Sequence, residues 1–135
     1  KAGMNTTGLE KFKELINKDL YRTQIIKGYF DDTLKQAEVQ QKCEQIKVAY
    51  IDCDYYESTK TVLSFIGNKL MHGSIIGFDD WNCFYADPLR GQRRAFDEFV
   101  EEISDIGSLQ PFLPISWGGM SFIFHSKSRV GRADD

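Results

Sequence analysis

The sequence contains no glycine-rich nucleotide-binding loop of the G-x-G-x-x-G or Walker type. That absence removes the usual sequence signature of a dinucleotide or nucleoside triphosphate site. No apolar run approaches the roughly 18 residues that a membrane-spanning helix needs, and no signal-peptide pattern is visible. We therefore expect a protein without a membrane partner.

An excess of basic residues is also lacking. The chain has 17 Lys and Arg against 20 Asp and Glu, which gives a net charge of -3. Its densest basic stretch, at residues 90–94, is followed at once by the acidic residues of 97–102. Because binding to nucleic acid normally requires a basic face, the composition predicts no nucleic-acid partner.

Cysteine is scarce, and its spacing does not suit a metal site. The three cysteines are Cys43, Cys53 and Cys83, an odd number without C-x-x-C spacing. This pattern argues against a disulfide scaffold and against a cysteine zinc site. It favours reduced thiols, and we therefore expect a cytoplasmic protein.

The residues that are present predict a single α/β domain. A chain of 135 residues with 41% hydrophobic residues is long enough to bury one core. Periodicity and turn residues predict the order α, β, α, β, α, β, α, β, β. The first half contains a helix at 7–18, a strand at Thr23–Tyr29, a solvated helix or loop at 33–45 and a buried strand at Lys47–Ile51. A helix then starts near Glu57 and continues through Leu70 to a stop at Gly73, and a buried strand follows at Ser74–Phe78. The last part contains a loop at Trp81–Gly91, a helix through Phe96 and Ile103, and a hairpin of Leu109–Ser116 with Met120–His125.

Acidic residues follow two of the predicted strands directly. Asp52 and Asp54 come after the first of these strands, and Asp79 and Asp80 come after the second. The carboxyl ends of parallel strands face one crevice, where gathered carboxylates favour a bound Mg²⁺ or Ca²⁺. The alternative is that these residues only form loops and helix caps. We interpret Asp54 as a capping or structural residue and Asp52, Asp79 and Asp80 as the metal ligands.

The loop after the second acidic pair offers candidate substrate-binding residues. Trp81 and Tyr85 are candidates for lining a pocket, although loop aromatics also pack beneath their own loop. Arg90 is a candidate for holding an anionic ligand, with ion pairs to acids of the following helix as the alternative. His72, at the predicted helix end, and His125, at the end of the last strand, are interpreted as structural.

Several segments together resemble one enzyme family. They are IDCDYYESTKTVL, GSIIGFDDWNCFYADPLRGQRRAFDEF and ISWGGMSFIF, preceded by KGYFDDTL. These segments resemble the TylF/MycF (macrocin O-methyltransferase) family of S-adenosylmethionine-dependent methyltransferases. The resemblance implies a partial Rossmann-like class I methyltransferase sheet, mostly parallel with a C-terminal antiparallel hairpin and lacking the first two strands. Residues 1–135 would then form a single truncated methyltransferase-like domain.

The resemblance also implies an activity. The family transfers a methyl group from S-adenosylmethionine to a sugar or other small-molecule hydroxyl. It holds a divalent cation, usually Mg²⁺, at the positions that correspond to Asp52, Asp79 and Asp80. The glycine-rich half that cradles S-adenosylmethionine is expected to be missing from this chain. No catalytic base is assigned, because Trp117, Gly118 and Gly119 occupy the hairpin turn where relatives often carry a His.

The expected absence of the first strand has a consequence for assembly. It would leave an edge of the Lys47–Ile51 strand unpaired, and unpaired edges are templates for association. Either the predicted Thr23–Tyr29 strand, which contains Gln24, pairs there or a second copy does, and we expect a homodimer or larger assembly. The alternative function is a catalytically silent cation-binding or protein-interaction module. A phosphoacceptor receiver-like domain is disfavoured, because its acid pair precedes its lone Asp.

Overall fold

The computed structural model describes residues 23–129, together with Lys11 and Glu14. In this part of the chain the elements are α1 (Phe30–Thr33), α2 (Ala37–Lys42), β1 (Ile46–Ile51), α3 (Tyr56–Ile66), β2 (Leu70–Phe78), α4 (Gly91–Glu102), β3 (Gly107–Ile115) and β4 (Gly119–Ser126), with short 3₁₀ turns at Gly67–Lys69, Phe84–Ala86 and Lys127–Arg129. The early helix predicted at 7–18 lies outside the described residues apart from Lys11 and Glu14, which are both helical.

The four strands form one sheet in the order β1-β2-β4-β3. β1 and β2 are parallel, with Ile51 opposite Phe78 at their carboxyl ends. β4 runs antiparallel to both β2 and β3. The predicted α/β class and the C-terminal antiparallel hairpin are therefore confirmed.

The core lies between one face of this sheet and the two longer helices. Apolar residues of α4 recur at helical spacing and pack against alternate residues of the strands. The buried cluster consists of Ile51, Leu63, Ile66, Ile76, Phe78, Ala95, Phe96, Phe99, Ile103, Leu109, Phe122 and Phe124. Among the described helices, none combines the length and apolar character that a membrane crossing requires.

The other face of the sheet is largely exposed in the described part of the chain. Val48 is 69% exposed and Tyr50 is 59% exposed, and Phe112 and Leu113 are exposed on the same face. These residues border a groove of about 220 Å³. The prediction that β1 is a buried strand is therefore wrong. Helices α3 and α4 pack on only one face, so alternate β1 side chains face outward.

The strand predicted at Thr23–Tyr29 is not formed. This segment has no regular structure, and α1 begins directly after it at Phe30. Ile25 and Ile26 supply the apolar, β-branched character that suggested a strand, yet both remain exposed. A strand requires a hydrogen-bonded partner, and in the described residues this segment joins no sheet. Local β-propensity alone did not decide the outcome.

The helix expected to continue through Leu70 ends earlier, and Gly73 has a different role. α3 ends at Ile66, and Leu70 is already the first residue of β2. Gly73 has a φ of +85° inside β2, where the register with β1 shifts. A glycine at positive φ suits a helix stop and a strand irregularity equally well. His72 is therefore a strand residue rather than a helix cap, and its Nδ1 accepts a hydrogen bond from the Ser126 amide at 3.3 Å.

Candidate metal centre

The parallel pairing of β1 and β2 brings the acidic residues together. The Asp79 amide donates to the Ile51 carbonyl at 3.0 Å, so the ladder continues to the last residue before Asp52. Asp52, Asp79 and Asp80 each offer a carboxylate oxygen, and these three oxygens lie within 4.8 Å of one another. The three side chains therefore face one point, as the order of strands and acids predicted.

Asp80 has the most restricted environment of the three. Its Oδ1 accepts a hydrogen bond from the Cys83 thiol at 3.6 Å. Its Oδ2 is buried and has no hydrogen-bond partner among the described residues. Burial raises the pKa of Asp80 above its ordinary value, and the nearby charge of Asp54 raises it further. A buried carboxylate oxygen without a donor is destabilising, and a bound cation would relieve it.

Asp79 is oriented by a tyrosine from the neighbouring strand. The Tyr50 hydroxyl donates a hydrogen bond to Asp79 Oδ1. That bond raises the pKa of Tyr50 to about 12, so the phenol remains a donor at neutral pH. Gly77 makes room for the Tyr50 ring, because a Cβ at this position would lie 3.2 Å from the ring and 2.8 Å from Ile115 Cδ1.

Asp54 is not a helix cap. The residue before the first turn of α3 is Tyr55, and its side chain makes no capping hydrogen bond. The Asp54 carboxylate instead acts on Asp80, where its charge contributes to the raised pKa. The capping alternative for Asp54 is therefore wrong, because Tyr55 occupies the position directly before the helix. Asp54 adds negative potential to the cluster.

The three predicted substrate-binding residues have different surroundings. Trp81 is half-buried and packs on the core, with its ring centroid 4.8 Å from that of Phe122. Tyr85 is fully exposed, and its φ is +59°. The Arg90 guanidinium stacks over the Phe84 ring at 4.8 Å. Trp81 follows Asp80 directly in the sequence, whereas Tyr85 and Arg90 lie farther along the segment between β2 and α4.

The neighbouring arginines are engaged by the protein itself. Arg94 forms an ion pair with Glu98 at 3.2 Å. Arg93 donates to the Trp81 carbonyl at 2.9 Å and stacks over the Trp81 ring at 4.7 Å. The two Arg93 contacts hold the loop after β2 against α4.

Sequence reasoning missed two residues of this site, Tyr50 and Gln92. Gln92 is buried, and its Oε1 accepts a hydrogen bond from the Asp80 amide at 3.0 Å. One signal was available, because Gln92 lies four residues before Phe96 on the apolar stripe of α4. A polar residue on a buried stripe must find a partner. No comparable signal marked Tyr50, since tyrosine is common in strands.

The donor set fits a hard divalent cation. Three carboxylate oxygens from two adjacent strand ends are the ligand type that Mg²⁺ and Ca²⁺ prefer. Oδ2 of Asp80 has no hydrogen-bond partner among the described residues, and the charge of Asp54 acts on the same carboxylate. The arrangement can hold a cation and, through it, an oxygen of a second ligand.

Solved structures share this fold. The O-methyltransferase NovP is 24% identical, with a TM-score of 0.61 over 84% of this chain and 43% of its own. The apo structure of the TDP-rhamnose 3'-O-methyltransferase of calicheamicin biosynthesis is 22% identical, with a TM-score of 0.67 over 90% of this chain and 54% of its own. A second structure of that calicheamicin methyltransferase is 28% identical, with a TM-score of 0.54 over 73% of this chain and 36% of its own. The chain thus spans about half the length of these proteins or less.

The sheet of the described residues therefore corresponds to part of a class I methyltransferase fold. A comparison with curated protein sequences finds no match. The sequence pattern of macrocin-O-methyltransferase (TylF) matches residues 9–112, which include both acidic strand ends. This match covers most of the chain, and the chain belongs to the TylF macrocin O-methyltransferase family.

Proposed function

We propose that this chain carries the cation-binding part of an S-adenosylmethionine-dependent O-methyltransferase that acts on a hydroxyl of a sugar or another small molecule. Family membership supports methyl transfer. The observation that carries the proposal is the convergence of Asp52, Asp79 and Asp80 within 4.8 Å at the ends of β1 and β2.

In this proposal the three aspartates hold Mg²⁺ or Ca²⁺. A divalent cation at this position would lower the pKa of an acceptor hydroxyl that binds beside it. Tyr50 keeps the Asp79 carboxylate in a fixed orientation through its hydrogen bond. Cys83 donates to Oδ1 of Asp80, and we assign Oδ2, which has no partner among the described residues, to the cation.

The first prediction concerns cation binding by the acidic cluster. Replacing one ligand, as in Asp80→Asn, removes a charged donor, and we expect Mn²⁺ or Mg²⁺ affinity to fall by at least roughly tenfold, because even changes around a ligand often cost that much. Calorimetric titration of the 135-residue chain measures the affinity. Asp97→Asn is the matched control, since Asp97 is an exposed acid on α4. Equal affinity in the Asp80 and Asp97 variants would contradict the assignment.

The methyl donor in this proposal is S-adenosylmethionine, as family membership suggests. The printed sequence holds no glycine-rich loop that would cradle its nucleoside. We assign no donor-binding residue in this chain.

The second prediction follows from that missing loop. We expect titration of the chain with S-adenosylmethionine to give weak or no binding, with and without Mg²⁺. Isothermal calorimetry measures it directly. Tight stoichiometric binding would show that these 135 residues already contain a donor site.

A second candidate function is a protein-interaction module, and one observation favours it. In the described part of the chain the outer edge of β1 has no partner strand. The same strand exposes Val48 and Tyr50 beside an apolar groove. Unpaired backbone next to an apolar face is the usual template for strand addition. We propose that a second copy of the chain covers this edge.

The third prediction is therefore self-association. Size-exclusion chromatography with light scattering should give a mass above the 15.5 kDa of one chain. Val48→Lys should shift the equilibrium towards monomer, because it places a charge on the edge strand. Ile106→Lys is the control, since Ile106 is exposed in the turn before β3. A monodisperse wild-type monomer at all concentrations would contradict this proposal.

A further inference from the structure

Gln92 is a polar side chain in the apolar interior. It is only 1% exposed, in the first turn of α4 and on the same stripe as Phe96 and Phe99. Burial of an amide is unfavourable unless its donors and acceptor are satisfied. The buried Gln92 amide therefore needs hydrogen-bond partners inside the protein.

Its amide connects the two strand ends that carry the acidic residues. Oε1 accepts the Asp80 amide hydrogen at 3.0 Å. Nε2 donates to the Ile51 carbonyl at 3.0 Å and lies 3.4 Å from the Cys53 carbonyl, also as a donor. One side chain thus binds the backbone on both sides of Asp52 and the backbone of Asp80.

We propose that Gln92 is a positioning residue for the cation site, fixing the separation of Asp52 and Asp80. This inference rests on the proposed function. The β1–β2 ladder ends at the bond between the Asp79 amide and the Ile51 carbonyl. Among the described residues no backbone hydrogen bond joins the two segments beyond that point, and the Gln92 side chain bridges them there.

Loss of the Gln92 amide would act mainly on Asp80. The Ile51 carbonyl would keep its bond from the Asp79 amide. The Cys53 carbonyl would keep its bond from Thr59 Oγ1 at 3.1 Å. The Asp80 amide would lose the acceptor that Gln92 supplies, and an unsatisfied amide is driven towards water. The Asp80 carboxylate would move with its backbone and leave the position that faces Asp52.

Ser74 provides a matched control at the opposite end of the same strand pair. It is also 1% exposed. Its Oγ donates to the Ile46 carbonyl at 2.6 Å and accepts from the Met71 amide at 2.8 Å. Ser74 therefore joins β1 and β2 as Gln92 does, but far along the strands from the acidic cluster.

The test compares Gln92→Met with Ser74→Ala in the full 135-residue chain. Met has nearly the length of Gln but makes no comparable hydrogen bonds. Mn²⁺ affinity is measured by calorimetry, and urea unfolding is measured on the same samples. We expect Gln92→Met to weaken Mn²⁺ binding by about tenfold or more, as for other residues that orient metal ligands. Ser74→Ala should lower stability but leave Mn²⁺ affinity within about twofold, because none of its contacts orients a ligand.

A second variant keeps the inference testable if Gln92→Met does not fold. Gln92→Asn retains an amide but is one methylene too short to reach both strand ends, and it should weaken Mn²⁺ binding in the same direction. Wild-type affinity in a folded Gln92 variant would overturn the positioning role alone. An equal loss in Ser74→Ala would assign the effect to general stability and would also overturn it. Failure of the wild-type chain to bind Mn²⁺ would overturn the proposed cation site and this inference together.

Discussion

Parallel pairing of β1 and β2 in a fixed register is the constraint on which the acidic cluster depends. Ile51 lies opposite Phe78, so the residues that follow both strands leave the sheet at the same level. A one-residue slip would turn the alternating side chains of one strand to the other face. Burial of Ile51, Ile76 and Phe78 beneath α3 and α4 opposes such a slip. The core therefore sets the geometry of the site.

Collecting acidic residues at one edge is opposed by their mutual repulsion. The raised pKa of Asp80 is a sign of that cost, with burial and the Asp54 charge as its causes. Two donors offset part of it: the Tyr50 hydroxyl donates to Asp79 and the Cys83 thiol donates to Asp80. The buried oxygen of Asp80 that has no donor in the described part of the chain is the feature that most directly favours a cation.

Much of this arrangement could be predicted from the sequence. Compact apolar runs gave β1 and β2, and the order of strand and acid gave the convergence of Asp52, Asp79 and Asp80. The errors arose where one local signal has two structural outcomes. A β-branched run at Thr23–Tyr29 formed no strand in the described residues, and Gly73 marked a strand irregularity instead of a helix stop. Both structural outcomes depend on which strands pair, and local sequence does not specify that pairing. The contacts of Gln92 depend on the same pairing, because its partners lie at the ends of β1 and β2.

The most direct test is a crystal structure of the chain grown with Mn²⁺, with anomalous differences used to locate the ion. Our prediction is one strong peak between Asp52, Asp79 and Asp80, at the short distances from carboxylate oxygens that are typical of a directly bound divalent ion, about 2.0–2.6 Å. A structure at saturating Mn²⁺ with no peak among these three carboxylates, or with the ion bound elsewhere, would contradict it.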